Sequence, residues 1–171
     1  WLTGHGGVAH TSVLRAAGFG TRSIATAVAE GAVIRVRRSW IAAPDCSAGR
    51  RAAASVGGRL TCVSAASERG LWTPHTDEHH VWVPSTASRL EHSGLKVHCA
   101  TPPVSLPRTD PDESMINVLF HVSRCMPRVD ALAVWESALR TGAVDAAILS
   151  SVRWGSARAR AYAKAAGHLS D

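Results

Sequence analysis

Near the start of the chain, apolar positions recur twice at helical spacing, and then the pattern changes period. Val13, Leu14 and Ala17 share one face of a short helix predicted over 11–17, with Thr11 and Ser12 as capping residues. Gly18-Phe19-Gly20 interrupts it, and Phe19 is the apolar residue expected to plug the turn. Thr21 or Ser23 then caps a second helix, in which Ile24, Ala27 and Val28 face inward and Gly31 supplies the end. Ala25, Ala27 and Ala29 are small enough for close packing against the first helix. Over 32–36 the pattern alternates and is β-branched, Arg37-Arg38 can turn, and Trp40-Ile41 resumes a strand that Pro44 ends. Helix, turn, helix and basic ribbon in this order are the layout of a winged helix-turn-helix, a module whose commonest use is to hold duplex DNA.

Beyond this module the pattern is mixed. Helices are predicted over 48–56, ended by Gly57-Gly58, and over 61–69, ended by Gly70. Strand-like runs follow over 80–84 and 95–99, with 104–106 a candidate third. A Pro-rich connection over 101–113 closes on Asp112-Glu113, acids suited to a loop or a helix start. Helical patterns over 115–121, 129–139, 144–152 and 156–166 complete the chain. The expected class is α+β: a winged helix-turn-helix over 1–45, then a small mixed α/β domain over 46–171 with a helical C-terminal half.

Composition adds to this in one respect above others. The 171 residues are 46% hydrophobic, enough for a globular core. No run approaches the ~18 apolar residues of a membrane span, and the N-terminus has no basic segment followed by an apolar one. The chain opens on Trp1, so a preceding segment is expected; the lack of a signal pattern, with scattered cysteines, leads to the expectation of a cytoplasmic location. Cys46, Cys62, Cys99 and Cys125 are scattered without a C-x-x-C pair and read as reduced thiols. The charge is distributed unevenly. Residues 1–60 carry eight arginines against Glu30 and Asp45, which accounts for the whole formal charge of +6. A one-sided positive field of this kind attracts phosphate and releases counterions on binding.

Catalytic patterns are missing. A restriction-type nuclease needs D/E-x-K beside a further carboxylate, yet Gly94 stands two before Lys96 and Tyr162 two before Lys164. There is no G-x-S-x-G, P-loop or G-x-G-x-x-G. The Gly-rich start around His5 reads as a linker. His75, His79, His80, His92 and His98 lie near Cys62 and Cys99 in sequence, but without the tight ligand pairs of zinc sites, so they read as ordinary surface or sheet histidines. No metal, cofactor or catalytic residue is expected. The tryptophans read as core or interface anchors, with Trp154, in a polar stretch, a candidate contact for a partner.

The run GGVAHTSVLRAAGFGTRSIATAVAEGAVIRVRRSWIAAP resembles the N-terminal winged-helix domain of AbiEi-type (type IV) antitoxins and related transcriptional regulators. The likeness continues through GGRLTCVSAASERGLW, HHVWVP, LKVHC and RCMPRVDALAVWESALRTGAV. In actinobacterial proteins of this kind the module often precedes a very-short-patch-repair-like endonuclease domain, and this chain ends about where that domain would begin. The resemblance implies binding to double-stranded DNA and, for antitoxins, neutralisation of a toxin encoded alongside. The expected DNA-contacting residues are Arg22, Thr21 and Ser23 at the start of the second helix, Thr11, Ser12 and Arg15 on the first, and Arg35, Arg37 and Arg38 on the ribbon. A single winged helix holds DNA weakly, so a homodimer is a further expectation. Two rivals are a protein-interaction module that binds a toxin, and the targeting fragment of an endonuclease.

Overall fold

A computed structural model describes residues 1–87 and 93–167. His92 lies outside the described residues. A single 3-10 turn (Thr3–His5) leads into β1 (Val8–His10), α1 (Thr11–Ala16), α2 (Thr21–Ala29), β2 (Ile34–Arg37) and β3 (Trp40–Ala42). The sheet order is β1-β3-β2, antiparallel throughout, with Val8 and Ile34 flanking Ala42 from opposite sides. β1 is an addition to the expected hairpin, since the Gly-rich start reads as a linker by composition. Its partner explains it: Trp40, Ile41 and Ala42 are all buried, and a central strand needs hydrogen bonds on both edges.

Local details depart from the predicted caps. His10, rather than Thr11 or Ser12, caps α1, its Nδ1 accepting from the Ser12 backbone N–H at 3.2 Å. α2 starts from Gly20 with no side-chain cap, so neither Thr21 nor Ser23 does that work. Gly31 follows its end at φ +72°, where a left-handed residue stops a helix. Leu14 and Ile24 carry the packing of α1 and α2, while Ala25 and Ala29 face solvent instead of the neighbouring helix. Phe19 does not plug the turn; it is 36% exposed and stands edge-on to Trp1 at 6.2 Å.

The rest of the chain runs α3 (Ala48–Ser55), β4 (Arg59–Leu60), α4 (Cys62–Glu68), β5 (His79–Trp82), β6 (Leu95–His98), α5 (Met115–Cys125), α6 (Arg128–Arg140), α7 (Ala146–Ser151) and α8 (Ala157–Gly167). β5 is the middle of a second sheet, antiparallel to β4 and parallel to β6. β4 approaches β5 so closely that a Cβ on Gly58 would sit 2.1 Å from the Trp82 carbonyl oxygen. The chain is thus a mixed α+β protein with two small sheets and two apolar cores among the described residues. α3 joins the cores, with Ala54 in the first and Ala53 in the second.

Three expectations are corrected in this half. The 104–106 stretch forms no strand, because the Asn117 side chain takes the pairing role: it accepts from Val104 N at 2.9 Å and donates to Val104 O at 2.8 Å. Trp154 is buried against Trp135 at 5.3 Å and donates to Leu149 O, so it is not free for a partner. Glu113 is neither solvated nor capping. It is 3% exposed, accepts from Asn117 Nδ2 at 2.6 Å, and faces the buried Arg59 guanidinium at 4.0 Å. Burial raises its pKa above the ordinary carboxylate value, with Asn117 and Arg59 opposing.

Two outcomes test this architecture. Glu113→Ala leaves Arg59 without its carboxylate and Asn117 Nδ2 with Val104 O alone, and is expected to cost about 2–3 kcal/mol in urea unfolding. The second concerns His10, whose pKa is lowered by burial and by Arg15. A lowered folded-state pKa leaves stability intact above the unfolded value of 6.5 and erodes it as pH falls below that. Asn keeps an acceptor at the cap without titrating. His10→Asn should therefore gain stability relative to the parent as pH falls from 8 to 5; an unchanging difference would show that the ring does not cap α1.

Candidate nucleic-acid interface and a buried cysteine–histidine cluster

The expected DNA-contacting residues occupy the first sheet and its two helices. Thr21, Arg22 and Ser23 form the exposed opening turn of α2, and Arg15 is exposed near the end of α1. Thr11 and Ser12 are half-buried at the start of α1, with Ser12 Oγ 2.7 Å from the His10 ring. The hairpin arginines differ from one another. Arg35 donates to Arg38 O at 2.9 Å and closes the β2–β3 turn. Arg37 donates to Ser55 O at 2.8 Å, one of the free carbonyls at the end of α3. Among the described residues, Arg15, Arg22 and Arg38 make no hydrogen bond or ion pair through their guanidinium groups.

The positive charge counted along residues 1–60 is therefore not all available to a ligand. Arg50 pairs with Glu68 at 2.8 Å and Asp112 at 2.7 Å. Arg51 donates to Pro44 O and Cys46 O. Arg59 is 3% exposed, donating to Asp110 O, Leu106 O and Pro107 O while its guanidinium lies 4.9 Å from the Trp82 ring centroid. What remains exposed is Arg15, Arg22, Arg35, Arg37 and Arg38. Folding adds one cation to them: Arg108 lines an open groove with Arg37, Arg38, Trp40, Trp82 and Thr109. Its place in the Pro-rich connection gave no sign of this, because only the anchoring of that connection on Arg59 carries it to the hairpin.

A second constellation lies in the other sheet. Cys62 opens α4, His80 lies on β5, His98 ends β6 and Cys125 ends α5, and one ligand-type atom from each falls within 4.8 Å of all the others. His98 Nε2 is 3.2 Å from His80 Nδ1, and Cys125 Sγ is 3.8 Å from the same nitrogen. Cys62 and His80 are buried; His98 and Cys125 are half-buried. Burial pushes the Cys62 thiol well up, whereas hydrogen bonding to Cys62, His80 and His98 draws the Cys125 thiol well down. His121 packs beside them, its ring 5.0 Å from that of His98, and neither of its nitrogens has a hydrogen-bond partner among the described residues. Burial, with His98 and Arg124, holds its pKa at about 3.

Sequence spacing concealed this cluster. Cys62, His80 and His98 lack the tight pairs of zinc sites and so read as a thiol and sheet histidines, and Cys125 reads as one more scattered reduced thiol. The alternation over 79–82 and 95–98 held the available signal, since parallel pairing sets Trp82 opposite His98 and His80 opposite Lys96. His75 and His79, at helical spacing, are not part of it; His75 is exposed and pairs with Asp77. No protein-family model and no curated protein matches the chain.

The two hairpin arginines should separate in a stability measurement. Arg37→Ala removes the tie to α3 and is expected to cost about 0.5–1 kcal/mol. Arg38→Ala, whose guanidinium has no protein partner among the described residues, should leave chemical unfolding unchanged.

Proposed function

We propose that this chain is a non-catalytic double-stranded-DNA-binding protein, built on an N-terminal winged helix-turn-helix and acting as a transcriptional regulator or antitoxin of the AbiEi-like kind. The observation that carries the reading is the exposed opening turn of α2, with Arg22 between Thr21 and Ser23, in a region where five exposed arginines stand against the two exposed acids Glu30 and Asp45. In this reading α2 enters the major groove N-terminus first, where its dipole favours phosphate and Arg22 and Ser23 reach base edges. Thr11, Ser12 and Arg15 hold backbone phosphates from α1, and Arg35, Arg37 and Arg38 grip the flanking backbone or minor groove as the wing. A homodimer supplies the second contact that one such module needs for tight binding. A cognate toxin protein is the second proposed partner, recognised by the C-terminal half.

Fluorescence anisotropy with the chain's own upstream DNA and a scrambled duplex, across a salt series, tests this directly. Tighter binding to the upstream DNA is expected, with affinity falling steeply in salt. Arg38→Ala should weaken binding to both duplexes and reduce the salt slope by about one unit, while Arg22→Ala should cost ~1–3 kcal/mol and relax the specificity for the upstream DNA. Absence of binding to either duplex at low salt would overturn the proposal.

A further inference from the structure

We infer that Cys62, His80, His98 and Cys125 form a structural zinc site, independent of the DNA-binding reading. The donor set is the first argument. Two cysteine sulfurs and two imidazole nitrogens form the Cys₂His₂ combination that suits a borderline-soft ion of tetrahedral preference. Zinc is held by such sets at about 2.3 Å from sulfur and about 2.0–2.1 Å from nitrogen. A tetrahedron of that size has edges of about 3.4 Å between nitrogens and about 3.6 Å between nitrogen and sulfur. The His80–His98 separation of 3.2 Å and the His80–Cys125 separation of 3.8 Å lie close to both edges.

The second argument is where the four residues come from. Each sits on a different element: the start of α4, β5, the end of β6, and the end of α5. Such convergence in a protein interior normally buries apolar side chains, and here it brings together polar groups whose burial is costly without a shared partner. His80 Nδ1 lies 3.2 Å from His98 Nε2 and 3.8 Å from Cys125 Sγ, so three donor atoms crowd one small volume. Cys62, whose sulfur belongs to the cluster, holds a backbone φ of +52°, a conformation uncommon for a residue with a Cβ. Four protein ligands leave no open position for a reacting water, so the role assigned is structural.

The ion would tie β6 to α4 and α5, which it otherwise meets mainly through β5, whereas α4, α5 and β5 already pack on one another. Among the described residues β6 lies at the edge of its sheet, half-buried along most of its length, with β5 as its one strand neighbour. Bonds from His98 to the ion and from the ion to Cys125 tie that edge to α5, while Cys62 and His80 anchor it on the buried side. His80 binds through Nδ1 and His98 through Nε2, the atoms that face the common centre.

The test uses untagged protein purified under reducing conditions, with zinc content measured by plasma mass spectrometry and cobalt(II) added to chelator-treated protein. One zinc per chain is expected, and cobalt should give intense tetrahedral ligand-field bands with sulfur-to-cobalt charge transfer. Cys125→Ser and His98→Ala should each lower zinc affinity by about a hundredfold or more. Cys99→Ser and Cys46→Ser should leave it unchanged, since neither thiol belongs to the cluster. Metal-free protein that refolds only when zinc is added also supports the site. Chelator-treated parent protein that stays folded but shows no tetrahedral cobalt spectrum overturns the inference, whatever the variants do. A Cys62–Cys125 disulfide found by mass spectrometry in the reduced preparation overturns it equally.

Discussion

The buried guanidinium of Arg59 fixes the relation between the second sheet and everything after it. From its place on β4 it lies against the Trp82 ring and donates to the carbonyls of Leu106, Pro107 and Asp110. Those carbonyls belong to a Pro-rich connection with no regular structure to satisfy them, so the arginine supplies the donors that a neighbouring strand would have given. Glu113, at the end of the same connection, balances the charge and reaches Asn117 one turn into α5. The start of α5 is thereby set against the sheet, and its far end, with His121 and Cys125, arrives beside β5 and β6.

α3 performs the corresponding task between the two halves. Its buried alanines divide between the cores, and its terminal carbonyl at Ser55 receives Arg37 from the β2–β3 hairpin. A hairpin of four- and three-residue strands has little stability of its own, and this contact adds to the pairing of β3 with β1 in holding it. The same contact uses part of the charge that composition alone assigned to a ligand. Arg50 and Arg51 illustrate the point further: they belong to the arginine-rich N-terminal third, yet their guanidinium groups are committed to Glu68, Asp112 and nearby carbonyls. Net charge located the basic region, and folding decided which of its cations face outward.

Much of the secondary structure was legible because its determinants are local. Glycines at 31 and 70 stop helices where a positive φ is needed, and amphipathic spacing marked α3 through α8 to within a few residues. The errors fall where a distant partner replaced a local rule. Val8–His10, just after the Gly-rich start, became β1 because β3 needed a second edge; 104–106 lost its strand because Asn117 took both backbone groups. Trp154 looked exposed among arginines and serine, yet the face it presents meets Trp135 across α6.

The sequence by itself determined the mixed α/β class, the order of the helices and the concentration of arginine in the first third, because propensity, periodicity and charge are properties of contiguous residues. It also excluded the D/E-x-K arrangement, which depends on near neighbours alone. Tertiary structure decided the rest: which arginines remain exposed, the arrival of Arg108 beside the hairpin, and the meeting of Cys62, His80, His98 and Cys125. Those four residues are separated by whole elements, and their proximity follows from parallel pairing of β5 with β6 and from the end point of α5. Spacing along a chain reports a site only when one turn or one hairpin carries all its ligands, and here four elements share them.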